Sequence, residues 1–374
     1  AVDAELTATE HCGLHRYTFT SPGVNRVIFD LGHTLGGYNK CGGAEIKINA
    51  DGSVEGSGVY FTVDMEFSKA YNAYFYAELS RPADSFGVWK NDEVMPGADH
   101  ARLENQRSRA GAFINFNVAD CETVLIKVGI SYVSCAQAKA NLKAEVPGWD
   151  FNGTIEACKN AWNEYLSRIS VSGADETEIM KFYSALYRAA NSPIDINEHG
   201  VYATGASGVQ ETVVSPRGFY CEDWALWDTA RTTHPLAALI EPERCADMCE
   251  TFIEIYRRGG WLPMATAPAN GVPEVMIGHN AVPVILDAYI HGYRDFDMET
   301  AYAAMKKSAV EFNPERFGLG TPEDYIKDGY YHFDGVHPGG RNFSCSRTLE
   351  VCWADWCTAQ AAKLLGKDED YAYF

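Results

Sequence analysis

The densest insertion of polar chemistry into apolar sequence is Trp224-Ala225-Leu226-Trp227-Asp228-Thr229-Ala230-Arg231-Thr232-Thr233-His234-Pro235. Read as a helix over 222–232, it puts Trp227 and Arg231 four apart on one face, with Asp228 and Thr232 beside them. An ionised Asp or Arg among such rings must be hydrogen-bonded, because its desolvation is otherwise expensive. One arrangement has Asp228 accepting two sugar hydroxyls and Arg231 donating to another, with Trp227 stacked on the sugar. A plainer one is an Asp228–Arg231 pair closing the end of a helix. These residues alone weigh the two equally.

A second segment runs Gly259-Gly260-Trp261-Leu262-Pro263, then Ala269-Asn270-Gly271, then Met276-Ile277-Gly278-His279-Asn280. A long irregular loop with two Gly-rich bends can aim Trp261, Asn270, His279 and Asn280 into a cleft, since a rigid scaffold positions such loops. A lone His there is as readily a structural group or a helix cap. The third segment is Ser344 to Cys357, where Ser346 or Thr348 is expected to cap a helix. Glu350 and Asp355 then lie about 140° apart around the axis and do not form an acid/base pair by themselves. Glu350 in a first turn also gains from the positive helix end. His234, Glu350 and Asp355 are thus candidates for supporting the site, and no metal ligand is assigned.

Other chemistries lack their signatures. Asp30-Leu31-Gly32-His33-Thr34-Leu35-Gly36-Gly37 has neither the dinucleotide fingerprint nor the ending of a phosphate loop, and there is no His-Glu-x-x-His or Gly-x-Ser-x-Gly. The eleven cysteines lack zinc or redox spacing, Cys245 and Cys249 being four apart, and buried free thiols are expected.

The elements that must hold these segments change period near residue 150. Short β-prone runs at 16–19, 26–31, 44–48, 57–65, 73–79, 111–116 and 123–130 are separated by turns such as Ala50-Asp51-Gly52-Ser53. Many strands without intervening helices predict an antiparallel sandwich. Helical periodicity follows at 134–145, 154–168, 175–190, 222–232, 242–257, 280–292, 297–312 and 348–365. Ala281 to Tyr289 is apolar all round, as in a helix packed on two sides. The expected fold is an N-terminal antiparallel β-sandwich over 1–133, a linker helix and turn over 134–153, and the N-terminal part of an (α/α)6 barrel over 154–374. Too few helices are present to close a double ring of six plus six, so the rest is expected from further sequence or a second chain.

Composition narrows the partners. With 51 acidic against 31 basic residues the net charge is -20, a field that repels phosphate backbones and anionic membranes. No nucleic acid and no membrane span are expected. Eight Trp, 21 Tyr and 18 Phe exceed the needs of a plain helical core and suit stacking on sugars. Ala1 to Glu5 has neither the basic head nor the apolar stretch of a signal peptide. The sequons at Asn152 and Asn342 matter only on a glycosylating secretory route.

The three segments, in this order, resemble the glycoside hydrolase family 92 α-mannosidases. The likeness rests on Leu226-Trp227-Asp228-Thr229 with Arg231 and His234-Pro235-Leu236, on Gly259-Gly260-Trp261-Leu262-Pro263, on Met276-Ile277-Gly278 with Val284 to Tyr289, and on Thr348-Leu349-Glu350 with Asp355-Trp356-Cys357. Weaker likeness extends it over nearly the whole chain. The resemblance implies a calcium-dependent, inverting exo-enzyme that releases terminal α-linked mannose from mannosides or N-glycans. It implies a site between sandwich and barrel, with Trp227, Asp228 and Arg231 in the terminal mannose pocket. The family's catalytic acid and base lie in motifs that do not occur here, so the chain resembles about half of a member. Within the matched region, the imidazole of Gly278-His279-Asn280 is displaced by one residue, and Val351-Cys352-Trp353-Ala354-Asp355 replaces a usual Tyr-Ala-Tyr-Asp-Asp. The alternative class is a non-catalytic carbohydrate-binding or assembly component. A location that is secreted, periplasmic or at the cell surface fits either.

Overall fold

Short strands with one apolar face are stable only when that face meets another sheet. The computed structural model describes residues 1–34, 40–61, 70–104, 109–173, 175–222, 225–266, 276–311, 322–332 and 344–374. Its strands begin with β1 (Val2–Ala8), β2 (Cys12–Phe19), β3 (Gly23–Asp30), β4 (Lys40–Ile48), β5 (Val54–Phe61) and β6 (Tyr71–Leu79). They continue with β7 (Ser85–Lys90), β8 (Glu93–Pro96), β9 (His100–Leu103), β10 (Ala110–Val118) and β11 (Glu122–Ser131). One sheet has the order β1-β2-β11-β6-β5-β4-β9 and the other β3-β10-β7-β8. The pairing is antiparallel in both. Ile46, Val54 and Ile126 from the first sheet share one core with Val88, Ile114 and Phe116 from the second. Strands stand at each expected run, residues 62–65 of the run at 57–65 lying outside the described residues. β1, β7, β8 and β9 are additional, because β1 is exposed at every residue but Thr7 and β8 and β9 are too short to show a period.

The larger sheet is covered on its other face by α1 (Cys135–Glu145). The Ser134 hydroxyl caps this helix by accepting the Gln137 N–H at 3.0 Å. Ala138 and Leu142 pack on Cys12, Leu14 and Tyr76. The approach is close at Gly129 of β11, where a Cβ would stand 2.2 Å from the Ala138 carbonyl oxygen. Next comes α2 (Phe151–Leu166), capped by Asp150. These elements belong to one compact unit of Ala1–Ser170 with Glu198–Ala203 and Thr212–Val214. Glu198, 1% exposed, ties the returning segment to that unit. Its carboxylate accepts the Tyr132 N–H at 2.7 Å and the amide of fully buried Asn141 at 2.9 Å.

The second unit comprises Val171–Asn197, Thr204–Glu211 and Ser215–Phe374. Here lie α3 (Glu176–Ala189), β12 (Ile194–Asp195), most of the remaining helices and their loops. β13 (Val201–Thr204) and β14 (Glu211–Val214) straddle the division, and β15 (Tyr220–Cys221) follows. The helices are α4 (Leu226–Thr229), α5 (Thr233–Ile240), α6 (Pro242–Gly259), α7 (Ala281–Ile290), α8 (Met298–Val310), α9 (Pro322–Asp328), α10 (Ser344–Leu364) and α11 (Asp368–Tyr373). α7 is buried from Ala281 through Leu286, packed by α5, α6 and α10, as its all-round apolar sequence requires. Phe252, Ile285, Ala301, Met305 and Ala361 anchor the core. Antiparallel sheets followed by helices are the fold class expected.

Two local expectations are corrected. The helix expected over 222–232 is reduced to α4 over Leu226–Thr229, with 223 and 224 outside the described residues; the Leu226 N–H donates to the Met264 carbonyl beside a short bridge at Ala225–Ala265. Neither Ser346 nor Thr348 caps α10, which starts at Ser344. The Thr348 hydroxyl donates to the Ser344 carbonyl at 2.7 Å, and Glu350 stands in the second turn, so helix-end stabilisation does not explain it. All eleven cysteines are free thiols, six of them buried.

The contact at Gly129 generates a prediction. Gly129→Ala drives a methyl into the α1 backbone, and overpacking of this kind costs about 1–3 kcal/mol. Urea unfolding of the variant is expected to show a lower midpoint with an unchanged slope. A wild-type midpoint would show that α1 yields without cost.

Candidate functional site

The site is built on a buried carboxylate. Glu222, whose side chain is 1% exposed, accepts the Thr229 hydroxyl at 2.6 Å on one oxygen and the His234 Nε2 proton at 2.8 Å on the other. The two donors stand at the end of α4 and the start of α5, so the acid clamps the turn between them. That turn carries Trp227, Asp228 and Arg231.

Arg231 leaves the turn and donates from Nη1 to the Trp227 carbonyl and from Nη2 to Glu350 Oε1 of α10. Its guanidinium carbon lies 5.0 Å from the Trp227 ring centroid and 5.1 Å from that of Trp353. A flat cation between two indoles is held by their quadrupoles and by dispersion. The alternative Asp228–Arg231 pair is not formed, and the guanidinium pairs with Glu350 instead. Among the described residues, Asp228 Oδ2, Trp227 Nε1, Glu350 Oε2 and Asp355 Oδ1 are buried without a hydrogen-bond partner. Each such atom costs about 1–3 kcal/mol unless something supplies the missing bond.

Gly278 meets this group from the loop before α7. Its φ is +83°, and a Cβ there would stand 2.8 Å from Glu350 Cβ and 3.1 Å from Asn280 Nδ2. Asn280 donates its amide to the Ile277 carbonyl at 2.8 Å. The structure thus brings Trp227, Arg231, Glu350 and Asn280 to one place. His279 is buried, its carbonyl accepting the Val282 N–H at 2.9 Å as α7 begins. Trp261 faces α8 instead, with the Lys307 ammonium 4.5 Å from its ring. His234 supports the turn through Glu222. Asn270 and the sequon at Asn342 lie outside the described residues.

Asp355 faces a separate aromatic corner. Burial raises its carboxyl to about 6, against an opposing pull from the Tyr325 hydroxyl. Tyr325 donates to Cys352 Sγ at 3.3 Å and stacks on Tyr331 at 5.1 Å. Trp353, Glu222, Gly278 and Tyr325 carry this geometry without having been singled out as site residues in the sequence. Trp353, three residues after Glu350 and so on its helix face, offered a usable signal.

Comparison with known proteins follows this geometry. Residues 137–374 match the glycosyl hydrolase family 92 catalytic domain and residues 1–131 the glycosyl hydrolase family 92 N-terminal domain. The chain belongs to glycosyl hydrolase family 92. It is similar to the GH92 alpha-mannosidase BT3965 from Bacteroides thetaiotaomicron, with 27% identity, a TM-score of 0.87, and coverage of 100% of this chain and 48% of that one. A further structure of BT3965 is in complex with mannoimidazole. The inverting mannosidase BT2199 from the same species is similar at 26% identity and a TM-score of 0.87, over 100% of this chain and 48% of that one. An uncharacterized secreted glycosidase of Arthroderma benhamiae is 28% identical over 275 residues, 70% of this chain and 31% of that protein. The chain therefore spans about half the length of the solved structures and a third of the fungal protein. Among the described residues no helix is long and apolar enough to cross a membrane.

The raised carboxyl of Asp355 sets a pH dependence. Its folded value of about 6 lies above the ordinary 3.8, so the neutral acid is favoured in the folded state. Stability from this group is full below pH ~3.8 and is lost as pH rises through about 6. Asp355→Asn is expected to hold the neutral, hydrogen-bonding form throughout and to flatten thermal stability between pH 4 and 7. A variant that still loses stability over that interval as the wild type does would assign the dependence to another group.

Proposed function

We propose that the Trp227–Arg231 turn, Glu350 and Trp353 form part of a pocket for a terminal α-linked mannose. The substrates are α-mannosides, including mannose-terminated N-glycans. The observation that carries this reading is the orphaned buried acceptor Glu350 Oε2, on a carboxylate paired with a guanidinium that lies beside two indoles, with a second orphaned acceptor, Asp228 Oδ2, on the turn that carries that guanidinium. Sugar hydroxyls supply the missing protons, and an indole face accepts the C–H side of a pyranose. Asp228 then orients the sugar and transfers no proton. Family membership supports the reading, as does the likeness to a mannosidase solved with mannoimidazole.

For the longer protein we propose hydrolysis with inversion, by two carboxyl groups about 6.5–9.5 Å apart, one protonating the leaving oxygen and one activating water. Neither is assigned to a described residue. Glu350 is ion-paired with Arg231 and suits sugar binding better than proton donation. Calcium, with six to eight oxygen ligands, does not fit the described residues alone. Among them, no three carboxylate, imidazole or thiol groups of the second unit converge. No step here runs through the ion. Calcium remains a proposal for the longer protein, in which chelation is expected to stop mannose release and added calcium to restore it.

Titration calorimetry of this chain with methyl α-D-mannopyranoside tests the pocket. Asp228→Asn is expected to weaken binding by about 10- to 100-fold, the range for losing hydrogen bonds to a charged group. Equal affinity in the variant, or preference for the glucoside, would remove the mannose assignment. For the longer protein, proton NMR is expected to show β-mannose as the first product, and α-mannose would exclude inversion.

A further inference from the structure

A second cluster of ligating side chains lies wholly within the first unit and takes no part in the sugar chemistry. His11 stands at the turn between β1 and β2, Glu145 ends α1, and His199 lies on the returning segment Glu198–Ala203. His11 Nδ1 is 2.7 Å from Glu145 Oε1, and His199 Nε2 is 2.8 Å from the same oxygen. The two imidazoles meet edge to face at 5.4 Å, and one ligand atom from each of the three residues falls within 4.8 Å of the others.

The second carboxylate oxygen is already engaged. Oε2 accepts the Thr9 hydroxyl at 2.5 Å and the His11 backbone N–H at 2.9 Å. Those bonds fix the carboxylate so that Oε1 faces both rings, the role that outer hydrogen bonds play around metal-binding carboxylates. The third ligand is positioned independently, since buried Glu198 anchors the segment that carries His199. His199 itself has φ +56°, in the left-handed region where His, with Asn and Asp, is enriched among non-glycine residues. His11 and Glu145 are nearly enclosed, at 12% and 10% side-chain exposure, whereas His199 is 43% exposed and leaves a path from solvent.

We infer that His11, Glu145 and His199 form a binding site for a late first-row divalent cation, with zinc as the best fit. Two imidazoles and one carboxylate with a solvent-facing fourth position form a ligand set that suits zinc, and imidazole discriminates against calcium and magnesium. Zinc bonds of about 2.0–2.2 Å place ligand atoms roughly 3.3 Å apart. Opening the present N···O separations by about half an ångström therefore admits the ion; both rings ligate as neutral imidazoles, His11 through Nδ1 and His199 through Nε2, each carrying its one proton on the other ring nitrogen. The bound ion joins three segments distant in sequence.

Titration of the metal-free full chain with Zn2+, and with Co2+ as a spectroscopic probe, tests this. One ion per chain is expected, with visible Co2+ bands and a raised melting temperature, while millimolar Ca2+ does not compete. His199→Ala, at an exposed position, is expected to weaken Zn2+ binding more than about 10-fold, and Thr9→Ala by about 10-fold through the carboxylate. His100→Ala, which disrupts a surface His–Glu pair at 2.9 Å, is the unchanged control. Absence of saturable binding, or wild-type affinity in folded His199→Ala, would overturn the site and leave a hydrogen-bonded latch. The readouts involve no sugar, so the mannose reading stands or falls separately.

Discussion

The buried carboxylate of Glu222 is the constraint on which the candidate pocket depends. A charged acid at 1% exposure is tolerable only if both oxygens are occupied, and here the Thr229 hydroxyl and the His234 imidazole occupy them. Because those donors belong to different helices, satisfying the acid also dictates that the chain break between α4 and α5. A continuous helix would carry Arg231 on around its spiral. The break lets the guanidinium reach back to the Trp227 carbonyl and across to Glu350 of α10. The cost of one buried charge thus becomes the geometry of a second charged group.

Arg231 joins that turn to α10. Its planar ion lies beside two indoles, 5.0 and 5.1 Å from their ring centroids, and donates from its edge. One edge nitrogen is spent on the backbone and one on Glu350. Lysine could not reproduce this, since a compact ammonium neither stacks nor forks. Gly278 completes the enclosure, because any side chain at its left-handed φ would press on Glu350.

The sequence made the architecture legible where a period repeats. Apolar continuity over Ala281–Ile290 reported burial directly. It was less legible where tertiary bonds override propensity. The segment over 222–232 has helical composition, but Glu222 and Leu226 donate their N–H groups to Thr266 and Met264, and no local signal announces a partner forty residues away. Trp227, Arg231 and Asn280 were identifiable as dense polar and aromatic insertions. Their pairing with Glu350 was not, because α10 begins at Ser344, earlier than the Ser and Thr caps suggested.

How the acids of this chain use their oxygens separates support from function. Glu198 and Glu222 are almost fully buried and have a donor on each oxygen, so both read as supports that hold segments in place. Asp228, Glu350 and Asp355 each keep one buried oxygen without a partner among the described residues. Three such vacancies would together cost several kcal/mol, on the order of 1–3 each, a large share of a domain's margin. Glu145 differs from both groups. Its oxygens are all engaged, but two of its partners are imidazole nitrogens, which a cation takes as ligands without disturbing the Thr9 and backbone bonds that aim the carboxylate.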